Sequence, residues 1–293
     1  MLGLCYVLWV YVMFSHCIWA GLAWFVRQRS ECQSLYIVQC SYQIFMAPSD
    51  AKHTVIHSFL TWNVRGLGNP IKRHRVHSYL NRRGIHVAIL QETHLTAVEG
   101  ARLQRRWRGQ LFYTTFSAFS RGVLVWIKPT VPFQMEYCKT DPDGRYVYLQ
   151  GRLDGSPISI LGLYAPNTGQ IAFLHTLDHF ITSSLDTPLI VGGDFNSVCD
   201  VNMDRSHPPL LGAQAHKIAL GLTSWTLNWQ MADVWRVTHP LEREYSHFSH
   251  IHALHTRIDM FLVSAHLLTL THHTELLART KIGERRVGKE CRL

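Results

Sequence analysis

The sequence of 293 residues lacks the features of several protein classes. It has no Cys-x-x-Cys pair, and only two of its seven cysteines, Cys138 and Cys199, lie between residues 46 and 280. Disulfide scaffolds and thiolate zinc sites are therefore excluded, and a reducing, intracellular setting is expected. The sequence shows neither an internal repeat nor a low-complexity tract, and 47% of its residues are hydrophobic, as in a folded protein.

Acidic residues are scarce. The chain has 20 Asp and Glu against 29 Lys and Arg, and its net charge is +9. Residues 281–293 contribute +3 of this charge and residues 1–45 contribute +1, which leaves +5 for the stretch between them. That surplus is compatible with a polyanionic partner such as DNA, and equally with an ordinary basic protein.

Charged residues are missing altogether from residues 1–26, and Arg27 and Arg29 follow. This apolar run is long enough to span a bilayer, with its basic flank inside, but it lacks the basic start of a secretory signal peptide. Residues 1–45 are therefore predicted to be an apolar leader, either a membrane segment or a non-native translation. A polar start at Met46 opens the predicted domain, which covers residues 46–280, and residues 281–293 are predicted to be a non-native tail.

Alternating and continuous apolar runs predict an α/β pattern with more strands than helices. The helices are expected at residues 71–83, 170–183 and 214–228. Residues 246–249 and 257–263 are expected to pair as two strands joined by a His-rich loop. The other strands are expected at residues 54–63, 86–91, 122–127, 146–153, 158–164 and 188–192.

Polar residues follow the predicted strands at the points where these end. Hydrolysis of a phosphodiester needs a hard cation, a positioned water and stabilisation of the leaving oxygen. Mg²⁺ prefers one or two carboxylates and several waters, so scattered carboxylates and amides at strand ends fit this chemistry. The chain supplies six such candidates: Asn63, Glu92, Tyr164, Asp194, Asn196 and Asp259.

Six motifs occur in a characteristic order. They are Trp62-Asn63-Val64-Arg65-Gly66-Leu67, Gln91-Glu92-Thr93-His94-Leu95, Tyr164-Ala165-Pro166-Asn167-Thr168-Gly169, Gly193-Asp194-Phe195-Asn196, Met203-Asp204-Arg205-Ser206 and Arg257-Ile258-Asp259. Together they resemble the endonuclease/exonuclease/phosphatase superfamily. More narrowly, they resemble the apurinic-like endonuclease domain of LINE-1-type non-LTR retrotransposons, and the run Ile71-Lys72-Arg73-His74-Arg75 favours that branch. The resemblance runs from about residue 58 to about residue 280.

The resemblance implies a fold, an activity and a set of roles. The fold would be α/β (α+β): a four-layer sandwich of two packed, mainly antiparallel sheets with helices outside. The activity would be nicking of duplex DNA, dependent on Mg²⁺ with Mn²⁺ possible. Glu92 and Asn63 would hold the metal. The catalytic set would be Asp194, Asn196, Tyr164 and Asp259, with Asp259 orienting a histidine, and the substrate-binding set would be Arg205, Ser246 and Asn167.

The resemblance also implies a setting. The chain would act as a monomer in the nucleus, and element RNA and a reverse transcriptase would be partners only in a full-length relative. Such relatives close the domain with a strand that carries Ser-Asp-His, whose histidine is the general acid/base. No such motif follows Thr280, and residues 281–293 contain no His. We therefore expect a chain truncated before that strand, with weak or absent activity.

Three other functions remain open. The first is another enzyme of the superfamily, either an abasic-site endonuclease or a phosphodiesterase acting on phosphoinositides or sphingomyelin. The second is a DNA-binding remnant without catalysis, and the third is a membrane-anchored protein.

Two further clusters allow more than one interpretation. The tract of His247, His250, His252 and His255 could hold zinc, form a solvated loop or enter a DNA groove. A second cluster around Trp107 could bind phosphates or form the solvated face of a basic helix. Its basic members are Arg102, Arg105, Arg106 and Arg108.

Overall fold

A computed structural model describes residues 35–43, 54–184, 187–209 and 213–277. Within these ranges the strands are β1 Leu35–Gln43, β2 Thr54–Asn63, β3 Val87–Gln91, β4 Gln110–Tyr113, β5 Val123–Ile127, β6 Phe133–Thr140, β7 Tyr146–Leu153, β8 Ser156–Tyr164, β9 Leu189–Asp194, β10 Met231–Asp233, β11 His247–Ser249, β12 Leu254–Thr256, β13 Asp259–Ser264 and β14 Thr271–Leu277. The helices are α1 Pro70–Arg82, α2 Ala97–Arg106, α3 Gln170–Thr176, α4 Asp178–Thr182, α5 Gln214–Asn228, α6 Val234–Thr238 and α7 Ala265–Leu268.

Two six-stranded sheets form the body of the molecule. The first has the order β14-β1-β2-β3-β5-β4 and the second has the order β10-β13-β9-β8-β7-β6. Only β2 with β3 and β8 with β9 pair in parallel within the described sheets, and the other pairs are antiparallel. Strands β11 and β12 form a separate hairpin.

Strand β3 shows why the molecule has four layers. All five of its residues are buried, so both faces of the strand are covered. Val87 and Ile89 join the apolar cluster between the two sheets, whereas Ala88 and Leu90 join the cluster beneath α1 and α2. Successive side chains of a strand point to opposite faces, so one short run contributes to two cores. The predicted sandwich with helices outside is confirmed.

The outer helices bury one face each. In α1 this face holds Val76, Tyr79 and Leu80, and Asn69 caps its first turn. Trp107 is buried against the same sheet, and the arginines of α2 are exposed. In α5, the indole of Trp225 donates to Asp178 Oδ1 at 2.7 Å. The arginines of α2 therefore form an exposed basic face, while Trp107 belongs to the core.

Two glycines bring the sheets into close contact. A Cβ atom at Gly162 would lie 2.7 Å from Ile89 Cγ2, and one at Gly192 would lie 2.8 Å from Ile89 Cδ1. Such distances are too short for real atoms. Glycine on β8 and β9 therefore makes room for the Ile89 side chain of the opposite sheet.

Some elements differ from the sequence prediction. Residues 257–263 do not pair with residues 246–249: β11 pairs with β12, and β13 pairs with β9 and β10. The short hairpin leaves the strand free to enter the large sheet, where its apolar residues are buried. The single helix expected over 170–183 is two helices, because Leu177 ends α3 with a tighter bond from its N–H to Leu174 O at 2.9 Å.

Strand β1 lies within the stretch 1–45 that the sequence set apart as a leader. Its backbone pairs with β2 on one side and with β14 on the other. The first sheet therefore includes a strand that lies before the predicted domain boundary at residue 46. No helix in the described ranges is long and apolar enough to cross a membrane, and residues 1–26 lie outside those ranges.

A buried network of charges fixes the segments that lead into β13. The fully buried guanidinium of Arg257 donates to Asp204 Oδ1 and Oδ2, each at 2.8 Å, and to Asp233 Oδ2 at 2.6 Å. Arg236 donates to Asp204 Oδ1 at 2.5 Å. Burial alone would raise the pKa of Asp204, but the two arginines outweigh it and hold the pKa below its usual range.

We predict that Asp204→Asn destabilises the fold strongly. It leaves the buried charge of Arg257 without its main partner, and such changes typically cost about 3–5 kcal/mol. Urea unfolding monitored by circular dichroism at pH 7 measures the loss. The matched control is Glu136→Gln, which breaks the half-exposed pair with Arg152 and should cost about 1 kcal/mol or less. Equal losses in the two variants would contradict the prediction.

Candidate active site

The ends of five strands bring the predicted site residues together. Asn63, at the end of β2, lies opposite Gln91 at the end of β3, and Glu92 follows Gln91. In the second sheet, Asp194 at the end of β9 lies between Tyr164 of β8 and Asp259 of β13. Side chains at paired positions lie next to each other, so each sheet presents its polar residues at the same edge of the sandwich.

The Asn63 amide joins the two sheets. Its Nδ2 donates to Glu92 Oε1 at 2.8 Å and to Asp194 Oδ2 at 3.0 Å. Its Oδ1 accepts from Arg65 N at 3.1 Å. One side chain thus fixes the two carboxylates that the sequence placed in different motifs.

The backbone after β9 turns sharply and is held by hydrogen bonds. Asn196 has φ 47°, and its N–H donates to Asp194 Oδ1 at 2.9 Å. The amide of Asn196 donates to Ala165 O at 2.7 Å, and Gln170 Nε2 donates to Asn196 O at 3.1 Å. These bonds hold Asp194 and Asn196 in fixed positions next to the end of β8.

Two of the clustered carboxylates, Asp194 and Asp259, resist ionisation. Burial raises the pKa of Asp194 to about 6, although hydrogen bonds from Asn63 and Asn196 oppose the rise. Burial also raises the pKa of Asp259 well above its usual range, and the charges of Asp194 and Glu92 raise it further. A positive charge placed among these groups would relieve their mutual repulsion.

The Tyr164 hydroxyl is kept protonated. Burial raises its pKa, the negative charges of Glu92 and Asp194 raise it further, and it shares a hydrogen bond with Glu92. The Arg145 guanidinium lies 5.4 Å from the centre of the Tyr164 ring. A protonated phenol here can donate to an anionic ligand.

An open cleft of about 560 Å³ contains most of the predicted residues. Seven of the nine line it: Asn63, Glu92, Tyr164, Asn167, Asp194, Asn196 and Arg205. Ser246 and Asp259 are buried behind the cleft, at 1% and 4% exposed.

Ser246 differs from its expected role in substrate binding. Its Oγ accepts from Ile258 N at 3.0 Å and from Asp259 N at 3.1 Å, so the hydroxyl orders the start of β13. Asp259 Oδ1 is buried and has no hydrogen-bond partner among the described residues. The carboxylate expected to orient a histidine thus has one unused acceptor oxygen.

Residues outside the predicted set of nine also lie at the cleft. Arg65 and His247 line it, and His94 Nε2 lies 3.5 Å from Glu92 Oε2. Arg65 and His94 stand inside motifs already recognised, each two residues after a predicted metal ligand, so their motifs could have suggested them. His247 was considered only as part of the His-rich tract, and its position at the cleft depends on the β11–β12 hairpin, which was not predicted as a pair.

The donor set of the cleft suits a hard cation. It offers the Glu92 carboxylate and the oxygen of Asn63, with Asp194 beside them, and the three groups supply oxygen donors only. Mg²⁺ needs few protein ligands because it keeps waters. Among the described residues, no group of three or more His, Cys, Asp or Glu is arranged to hold a metal ion.

Comparison with known proteins agrees with this geometry. Residues 60–279 match the Endonuclease/Exonuclease/phosphatase family. The chain belongs to that family. The predicted superfamily and its class of phosphoester-cleaving enzymes are therefore confirmed.

Similar proteins include one transposon protein and several nucleases. The chain is 29% identical over 220 residues to the transposon TX1 uncharacterized 149 kDa protein of Xenopus laevis; the match covers 72% of this chain and only 16% of that protein. The APE2 catalytic domain of Xenopus laevis is similar in fold, with a TM-score of 0.60 at 19% identity over 72% of this chain and 83% of that one. The AP endonuclease LMAP of Leishmania major is also similar in fold, with a TM-score of 0.57 at 19% identity over 73% of this chain and 80% of that one.

We predict that Asp194 makes the stability of the metal-free protein depend on pH. Its folded pKa of about 6 lies above the ordinary 3.8, so the folded state holds a proton that the unfolded state releases. Stability should therefore fall as pH rises from about 4 through 6. Asp194→Asn removes this titrating group, so the fall in stability between pH 4 and pH 6 should be shallower than in wild type.

Urea unfolding in EDTA at several pH values tests this dependence. The matched control is Asp143→Asn, which changes a carboxylate that is 71% exposed and should leave the wild-type profile unchanged. Parallel profiles for wild type and Asp194→Asn would refute the prediction.

Proposed function

We propose that this protein nicks duplex DNA by hydrolysing a phosphodiester with a divalent cation, Mg²⁺ or also Mn²⁺. The observation that carries the proposal is the single polar cluster at the joined sheet ends, in which Asn63 bonds both Glu92 and Asp194. Arginines at the rim of the same cleft, Arg65 and Arg205, fit a polyanionic substrate.

Glu92 and Asn63 would hold the cation, which when bound neutralises charge on the phosphoryl oxygens. Asp194 is oriented by Asn63 and by the Asn196 N–H, so an ionised Asp194 can accept a proton from the attacking water. Tyr164 donates its hydroxyl hydrogen to a phosphate oxygen. Arg205 and Asn167, which line the cleft, would contact the DNA backbone.

The similar transposon protein supports a place for this nick in the life of a mobile element. A nicked strand could prime reverse transcription, with element RNA and the polymerase as partners and the nucleus as the location. Because the chain spans only 16% of that relative, these roles belong to a full-length protein. Action as a monomer is part of the same proposal.

The unused acceptor oxygen of Asp259 supports a lower rate of DNA nicking for this polypeptide than for an enzyme with a histidine at that position. In the superfamily that the motifs resemble, this carboxylate orients a catalytic histidine, and none of the histidines whose side chains the structure describes donates to Asp259 Oδ1. Loss of a general acid/base typically lowers a rate about 10²- to 10⁴-fold. The same observation favours a second candidate, DNA binding without cleavage.

We predict slow nicking of supercoiled plasmid by the 293-residue chain in Mg²⁺, and no nicking by Glu92→Ala. Loss of the Glu92 carboxylate removes the main ligand for the cation. Gel electrophoresis of relaxed circles measures the rate. Glu136→Ala, which removes a remote half-exposed carboxylate, should match wild type.

The outcomes separate the candidates. Binding of plasmid without Mg²⁺-dependent nicking would favour the DNA-binding protein over the nuclease. Cleavage confined to DNA with abasic sites would indicate a repair-type endonuclease. Turnover on the order of 10 per second, ordinary for enzymes, would contradict the lowered rate but support the nuclease.

A further inference from the structure

Phe119 is an aromatic side chain held in solvent beside the candidate active site. It is 89% exposed, whereas most phenylalanines are buried. It lines a second cleft of about 320 Å³, which shares Glu92, Tyr164 and Asn167 with the first. The two clefts thus meet at the residues that would contact the scissile phosphate.

The loop that carries Phe119 is held together by hydrogen bonds. Ser117 Oγ accepts from Phe119 N at 3.3 Å and from Ser120 N at 3.1 Å, and it lies 2.9 Å from Ser120 Oγ. The backbones of Ser117 and Ser120 also form an isolated β-bridge. Phe119 stands at the apex of this small turn, so its exposure follows from the local hydrogen bonds.

The same loop is fastened to the segment after Glu92. His94 N donates to Arg121 O at 2.9 Å, and Thr93 N donates to Gly122 O at 3.1 Å. The Arg121 guanidinium lies 4.1 Å from the centre of the Phe116 ring. Phe119 therefore keeps a fixed position relative to the predicted metal ligand.

The surroundings of Phe119 are cationic. Arg121 and Arg145 line the same cleft. An exposed aromatic ring among arginines is a typical surface for nucleic acid, since the cations attract the backbone and the ring stacks on a base. An apolar protein partner would not require the cations.

We propose that Phe119 stacks on an unstacked base next to the scissile phosphate, and that it makes the protein prefer DNA that is locally unpaired there. The proposal rests on the proposed action on DNA. It adds that Phe119 contributes to the choice of the cleavage site on the DNA. A base leaves the stack more easily at a damaged or unpaired position than at a paired one, so such positions would be preferred.

Fluorescence anisotropy at a fixed salt concentration, with Ca²⁺ in place of Mg²⁺ to prevent cleavage, tests this preference. The probes are a fully paired 30-base-pair duplex and the same duplex with one bulged adenine. The wild-type 293-residue chain should bind the bulged duplex at least about 5-fold more tightly, since stacking of one base on an aromatic ring is worth about that factor or more.

Phe119→Ala should bind the paired duplex within about 2-fold of wild type and lose the preference for the bulge, and Phe119→Trp should keep it. The matched control is Leu241→Ala, which truncates an apolar side chain that is 86% exposed and lines neither cleft. It should behave as wild type. Thermal unfolding should be unchanged in all three variants, because both positions are exposed.

Three results would overturn the proposal. Wild type without a preference for the bulge would do so, as would a Phe119→Ala variant that retains it. An equal loss of affinity for both duplexes in Phe119→Ala would show a general backbone contact instead. If wild type bound neither duplex, the proposed action on DNA would fail together with this inference. The three results above would overturn only the role of Phe119, so the two failures are distinguishable.

Discussion

The candidate site depends on one amide. Asn63 Nδ2 bonds Glu92 from its own sheet and Asp194 from the other, so the active-site geometry is only as well fixed as the packing between the sheets. A carboxamide suits this position because it donates two hydrogen bonds without adding a charge. A lysine there would neutralise the carboxylates and compete with a cation. An aspartate would add a negative charge near Asp194 and Asp259, whose pKa values are already raised.

The sequence indicated which residues lie at the site better than it indicated the hydrogen bonds and strand pairings that hold them in place. Strand ends identified Glu92, Tyr164 and Asp194, because apolar strands followed by polar residues are visible without tertiary contacts. The support was not visible. Ser246 was expected at the DNA, but its hydroxyl caps the backbone of β13, and only the pairing of β11 with β12 places it there.

The fold shows the same division. Strands with buried faces on both sides, such as β3, β5 and β9, were predicted because their composition alone identifies them. Strands that depend on neighbours were missed: β6 is mostly exposed, and β14 is polar and pairs with β1 at the sheet edge. The split at Leu177 was also missed, since both halves are apolar and helix periodicity continues across it. Local pattern identifies what is buried but not which strand lies beside it.

Gly162 and Gly192 give the hydrophobic interior a catalytic consequence. The Ile89 side chain packs against both glycines. Ile89 lies three residues before Glu92, and Gly192 lies two residues before Asp194. One added methyl group would spread the strands that carry the two carboxylates, and the Asn63 hydrogen bonds have only a few tenths of an ångström to spare. Substitutions at these apolar positions would therefore change the geometry of the candidate active site, even where the protein remains folded.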